Sequence, residues 1–140
     1  MTLKELSQLY YLKREIAHNY NRLKELESKL SSPSSSSLSG MPRSRIYGNK
    51  IEDAVADIIE LKAIIDAQQK QCLYECNRIE QYIANIKDSF TRQIFIFRFV
   101  NGLSWRQVAV STGGGNTEDS VKKICYRYIN NENRRLNDQI

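Results

Sequence analysis

One histidine, His18, occurs in 140 residues, and that scarcity excludes a large share of enzyme chemistry. No Ser/His/Asp or Cys/His set can form around a lone imidazole that sits mid-helix in a heptad-patterned segment. Three cysteines are present, and Cys72 and Cys76 stand one helical turn apart. A structural zinc site needs four ligands, and no second ligand pair exists, so Cys72 reads as a small core residue and no metal or cofactor is expected. Neighbouring carboxylates such as Glu52 and Asp53 read as solvated helix faces. The run Gly113-Gly114-Gly115 lacks the preceding strand and the following Gly-Lys-Ser/Thr of a phosphate loop, and reads as a turn. No apolar run approaches the ~20 residues that span a bilayer. Reduced thiols without a signal-peptide pattern point to the cytoplasm. The expectation is a non-enzyme with no membrane partner.

Proline and glycine are also scarce, at two and six, and they are unevenly placed. Both prolines fall in SSPSSSSLSGMPRSRIYG, Ser31 to Gly48, with eight serines and two glycines. Such a composition predicts a flexible connector rather than a packed element. Arg43 and Arg45 within it read as solvated loop charges. On its N-terminal side Leu9, Ile16, Leu23 and Leu30 recur every seven residues, and Leu12, Asn19 and Leu26 do so three places later. This a/d pattern predicts a helix from about Thr2 to Leu30, with Asn19 as the one polar residue in the seam. On the other side Ile51, Ile58, Ile65, Cys72, Ile79 and Ile86 are again seven apart, widened by Ala54, Val55 and Leu61. A second helix from about Asn49 to Lys87 follows. The connector permits these helices to pair within one chain or between chains, and a weak homodimer through them is expected beside intrachain pairing.

Charge is modest in excess and concentrated toward one end. Lys and Arg number 21 against 16 Asp and Glu, a formal net charge of +5. Residues 88 to 140 hold eight basic and five acidic side chains, so more than half of the excess lies there. That balance suits a surface that neutralises phosphates. In the same segment Asp88 and Ser89 can cap a helix, with apolar Ile94, Phe95, Phe97 and Val100 on one side and Asn101-Gly102 as its stop. The string IFIFRFV also fits a buried strand by periodicity, but no partner strand with turn signals exists for it.

Ser104 and Gln107 form a capping-box pattern for a short helix to about Ser111, with Leu103, Val108 and Ala109 inward. Thr112 to Gly115 turn the chain, and glycine tolerates the positive φ such turns use. Asn116 or Thr117 then caps a third helix, with Glu118 and Asp119 complementing its dipole. Val121, Ile124, Cys125 and Tyr128 make its buried stripe, leaving Glu118, Asp119, Lys122, Lys123, Tyr126 and Arg127 outside.

The segment RQIFIFRFVNGLSWRQVA resembles region 4 of bacterial sigma factors. Arg92, Ile94, Phe95, Phe97, Arg98, Phe99, Gly102, Leu103, Ser104, Val108, Ala109 and Gly113 fall in register with that pattern. The resemblance covers about 40 of the 140 residues. Val121 follows Ala109 by twelve positions where the usual spacing is ten, so Gly114 and Gly115 lengthen the turn. The chain also resembles small prophage-encoded proteins of Gram-positive bacteria that share GGGNTEDSVKK, some of which are regarded as late-gene transcription regulators.

The resemblance implies an all-α protein. Residues 1 to 87 would form a helical hairpin or coiled coil for assembly, with the connector at 31 to 48, and residues 88 to 140 a helix-turn-helix DNA-binding domain. A helix at 117 to 130 would enter the major groove of double-stranded DNA. Family register puts Glu118, Asp119, Lys122 and Lys123 toward the bases, where lysine donates to guanine and a carboxylate accepts from cytosine. Trp105, Arg106, Tyr126 and Arg127 would hold the DNA backbone. The expected function is a phage or prophage transcription regulator, with RNA polymerase as a second partner class. The alternatives are a small-terminase-like DNA-packaging subunit and a polymerase-binding module that never touches DNA.

Overall fold

The computed structural model describes residues 1–31 and 44–140, with side chains described from residue 49 onward in the second stretch. Every described element is helical, and the IFIFRFV string is helical as well. α1 runs Leu3–Ser31, α2 Ser44–Ala84, α3 Ser89–Phe95, α4 Trp105–Thr112 and α5 Glu118–Asn137, with a π-helical turn, Ile96–Val100, after α3. No described helix is long and apolar enough to cross a membrane. α2 begins at Ser44, five residues before the expected start, so Ser44–Gly48 belong to a helix rather than to a connector. The rest of the expected connector, with Arg43 and the side chain of Arg45, lies outside the described residues.

The chain divides into two compact units, Arg14–Gln71 and Met1–Lys13 with Cys72–Ile140. The expected boundary, between residues 87 and 88, is not where the units part. The difference has a plain cause: Leu6 and Leu9 of α1, Ile79 and Ile83 of α2, and Ile86 just beyond its end are buried in one core with α3, α4 and α5.

In the unit Arg14–Gln71, α1 and α2 pair antiparallel within one chain. Leu23, Ile58, Leu61 and Ile65 form the buried seam, with Leu26 against it. Asn19 Nδ2 donates to Gln68 Oε1 at 2.8 Å, and Gln68 Nε2 reaches Glu15 Oε2 at 3.5 Å. The polar seam residue is thus matched by a polar residue across from it. Gln69 Nε2 to the Tyr20 hydroxyl (2.6 Å) and Lys62 to Glu27 (3.3 Å) tie the outer edges. Leu30 and Ile51 are exposed despite their heptad spacing, as is Val55 beside that series.

The other unit is built on aromatic packing. Phe95 is fully buried and lies 5.3 Å from Phe99, 5.5 Å from Tyr128 and 6.2 Å from Tyr82, ring centre to ring centre. Thr2 and Glu5 cap α1 reciprocally, Glu5 N–H donating to Thr2 Oγ1 at 3.3 Å and Thr2 N–H to Glu5 Oε2 at 2.7 Å. The Thr2 N–H and hydroxyl, both donating to Glu5 Oε2, hold that carboxyl below its ordinary range. Arg78 reaches Glu5 across the helix pair at 3.1 Å.

Candidate nucleic-acid interface

The surface formed by α4, the following turn and α5 depends on how α3 approaches it. Asp88 caps α3, its carboxylate accepting from the Thr91 N–H at 2.8 Å and the Thr91 hydroxyl at 2.6 Å. These bonds hold its pKa below the carboxylate range. Arg92 then turns back, and Nη1 donates to the carbonyls of Ile86 (2.7 Å) and Lys87 (3.3 Å). Just past the end of α2, where free carbonyls need partners, a guanidinium is an efficient donor.

Downstream, the Asn101 N–H bonds to the Ile96 carbonyl at 2.9 Å, five residues back. One residue is thereby inserted into the helical repeat. The buried positions become Ile94, Phe95 and Phe99, whereas Phe97 and Val100, expected inward, are only half-buried. Gly102 follows with φ +70° and reverses the chain toward α4. Arg98 Nη1 donates to the Leu103 carbonyl at 2.8 Å, and its guanidinium carbon sits 4.8 Å from the centre of the Trp105 ring, within cation–π range.

α4 opens with the predicted capping box. Ser104 Oγ accepts from the Gln107 N–H at 3.2 Å, and Gln107 Oε1 accepts from the Ser104 N–H at 2.9 Å. Val108 and Ala109 are buried as expected, and so is Trp105, 8% exposed. Its ring meets Phe99 edge-on at 6.5 Å and Tyr126 at 5.9 Å. The expectation of Trp105 as a DNA-backbone contact is therefore corrected, because a residue this buried supports the surface from beneath. Arg106 lies on the exposed side of α4.

Gly113, Gly114 and Gly115 all have φ near +70°. Three successive left-handed positions explain a triple glycine, since any L side chain would be strained at each. Asn116 Nδ2 closes the turn on the Gly113 carbonyl at 2.6 Å. Thr117, rather than Asn116, caps α5, through a reciprocal pair with Ser120 at 3.2 and 3.0 Å.

Along α5, Val121, Cys125 and Ile129 are buried, while Ile124 and Tyr128 are half-buried. The inward stripe is one residue further round at its C-terminal end than expected. Burial pushes the Cys125 thiol up to about 12, which leaves it unreactive. Glu118, Asp119, Lys123, Tyr126 and Arg127 are exposed. Lys122 is half-buried and pairs with Glu118 at 3.7 Å. Helical spacing brings Asp119, Lys123 and Arg127 onto one outward stripe and sets Glu118 and Lys122 to its side. α5 also runs to Asn137, seven residues beyond the expected end.

Two roles escaped the sequence reading. Arg92 and Arg98 both spend their guanidinium groups on backbone carbonyls, so these two cations are structural. The signal was their position beside helix ends, where carbonyls lack partners. No protein-family model, curated protein or solved structure matches this chain.

Proposed function

We propose that this protein is a sequence-specific, double-stranded-DNA-binding regulator of transcription, a helical hairpin joined to a helix-turn-helix reader. The observation that carries the reading is the division of α5. One side, Val121, Cys125 and Ile129, is core; the other presents Lys123 and Arg127 to solvent, with no ion pair among the described residues. A capped short helix and a tight turn hold that helix rigidly, as base readout requires.

In this mechanism the N-terminal half of α5 enters the major groove. Lys123 donates to guanine, and Asp119 accepts from cytosine N4. Glu118 and Lys122 satisfy each other in part, so they contribute less to readout than Asp119 and Lys123. Arg106 on α4, with Arg127 and the rim residue Tyr126, grips phosphates, which fixes register without reading sequence. RNA polymerase is the second partner such a regulator would meet.

Selection of bound duplexes from random DNA by the full chain tests the reading. Enrichment of a motif, with log affinity falling by ~0.9 per neutralised phosphate as log salt rises, is expected. Lys123→Ala should cost ~1–3 kcal/mol on the preferred site and relax one base position. Arg106→Ala should weaken all sequences alike. Absence of salt-dependent duplex binding would favour a protein-binding module, and a closed multisubunit ring in solution would favour DNA packaging.

A further inference from the structure

We infer that the C-terminal half of α5 is a second duplex contact, with Arg134, assisted by Asn130, binding the phosphate backbone beyond the edge of the groove that Lys123 enters. The inference rests on the DNA-binding reading above. Lys123, Arg127, Asn130 and Arg134 recur at intervals of four, three and four residues, and all four are exposed. They therefore form one stripe, opposite the buried Val121, Cys125 and Ile129. After the first turn, the only carboxylate on α5 is Glu132, which is half-buried and accepts the Tyr128 hydroxyl at 3.1 Å. It faces away from the stripe, whose own carboxylates, Asp119 at its start and the C-cap Asp138 at its end, form no ion pair with its cations among the described residues. Arg134 has no ion pair among the described residues.

Length assigns the ligand. Eleven residues separate Lys123 from Arg134, about 16 Å at ~1.5 Å per residue. The major groove is about 12 Å wide. A helix that sets Lys123 against base edges therefore carries Arg134 past the groove wall, to the height of the sugar-phosphate backbone. A guanidinium there has phosphate oxygens as acceptors and can hold two at once, and the Asn130 amide supplies a further donor. All four residues of the stripe are exposed, so none of them belongs to the protein's own core.

The test compares the full chain with its Arg134→Ala and Arg134→Lys variants on the selected duplex, a scrambled duplex and the matching single strand. Arg134→Ala should reduce the salt slope by ~0.9 and lower affinity roughly tenfold at 0.1 M salt, equally on both duplexes. Base preference should not change, and Arg134→Lys should recover most of the loss. A salt slope unchanged in Arg134→Ala, while the wild-type chain binds duplex with a clear slope, overturns this inference alone. An equal change on single strands overturns the groove-edge placement, and absence of wild-type duplex binding overturns the DNA reading itself.

Discussion

The two units use the same pair of long helices in different company. Among the described residues of Arg14–Gln71, α1 and α2 face each other, and four apolar side chains are buried. In the unit formed by Met1–Lys13 and Cys72–Ile140, α3, α4 and α5 cover them, and fourteen form one buried core, with Leu12 buried as well. A two-helix seam can bury only one narrow stripe per helix, so its register must come from elsewhere. Here it comes from Asn19 facing Gln68 and from rim contacts, the Lys62–Glu27 ion pair and the Gln69–Tyr20 hydrogen bond. The larger unit takes its specificity from interlocking rings, where shape alone excludes alternatives. One stretch of helix is therefore defined by polar matching, the other by packing.

The largest test of that contrast is Phe95→Ala. Removing a fully buried ring that touches Tyr82, Phe99 and Tyr128 should cost about 3–5 kcal/mol. Chemical denaturation followed by fluorescence of Trp105, the single tryptophan, reads it directly. A cost below ~1 kcal/mol would show that this core is loosely packed. Ile65→Ala, in the thinner seam, should cost about 2 kcal/mol, the low end for such changes, because the site can collapse. Hydrogen exchange should place that loss within residues 14–71. Equal costs in both units would break the comparison.

Asn19→Leu sharpens it. The change strands the Gln68 amide, so stability should fall by about 1 kcal/mol. Adding Gln68→Leu should restore it, as two apolar groups of similar shape replace the pair, and the thermal melt of the double variant should match or exceed the parent. A rise on the single change would show that the polar pair contributes no net stability. Asp88→Ala should lower stability modestly, as a lost cap. The Asp88 carboxyl titrates below its ordinary range when folded. Its contribution is therefore complete above the unfolded pKa near 3.9 and is lost as pH falls through the lower folded value. Acid melts of wild type and Asp88→Ala should converge there. The smallest effect is expected at Tyr82, whose buried hydroxyl has no hydrogen-bond partner among the described residues. Tyr82→Phe should leave stability unchanged or raise it by up to ~1 kcal/mol.

Much of the helical layout was legible in the sequence. Ser104 with Gln107 and the Asp88 cap fixed helix starts because capping is local chemistry. The heptads located the seam, since a period survives in sequence. The π-helical turn did not show, because Ile96 to Val100 is apolar at nearly every position and carries no period to displace. Trp105 was misread because an aromatic residue in a helix's first turn looks outward by spacing; its burial depends on Phe99 and Tyr126, brought in by other elements. The unit boundary was hidden for a similar reason. A continuous helix carries no mark where its neighbours change. The exposure of Lys123 and Arg127 was legible through helical spacing, but the length of α5 was not. Asn130 to Asn137 offers no strong apolar stripe and continues the helix from its neighbours.

The way α1 returns to the C-terminal core bears on how the protein is made. Glu5 meets Arg78 across 73 residues, and Lys13 donates to the Val100 carbonyl across 87. Leu6 and Leu9 must therefore wait, during synthesis, for segments translated much later. Such long-range closures add to the contact order and slow the step that forms them. Until they form, the sticky faces of Ile79, Ile83 and Ile86 remain open to aggregation or to chaperones. The same topology makes the segment 88–140 an unsafe fragment to express alone, since part of its hydrophobic floor is encoded before residue 10.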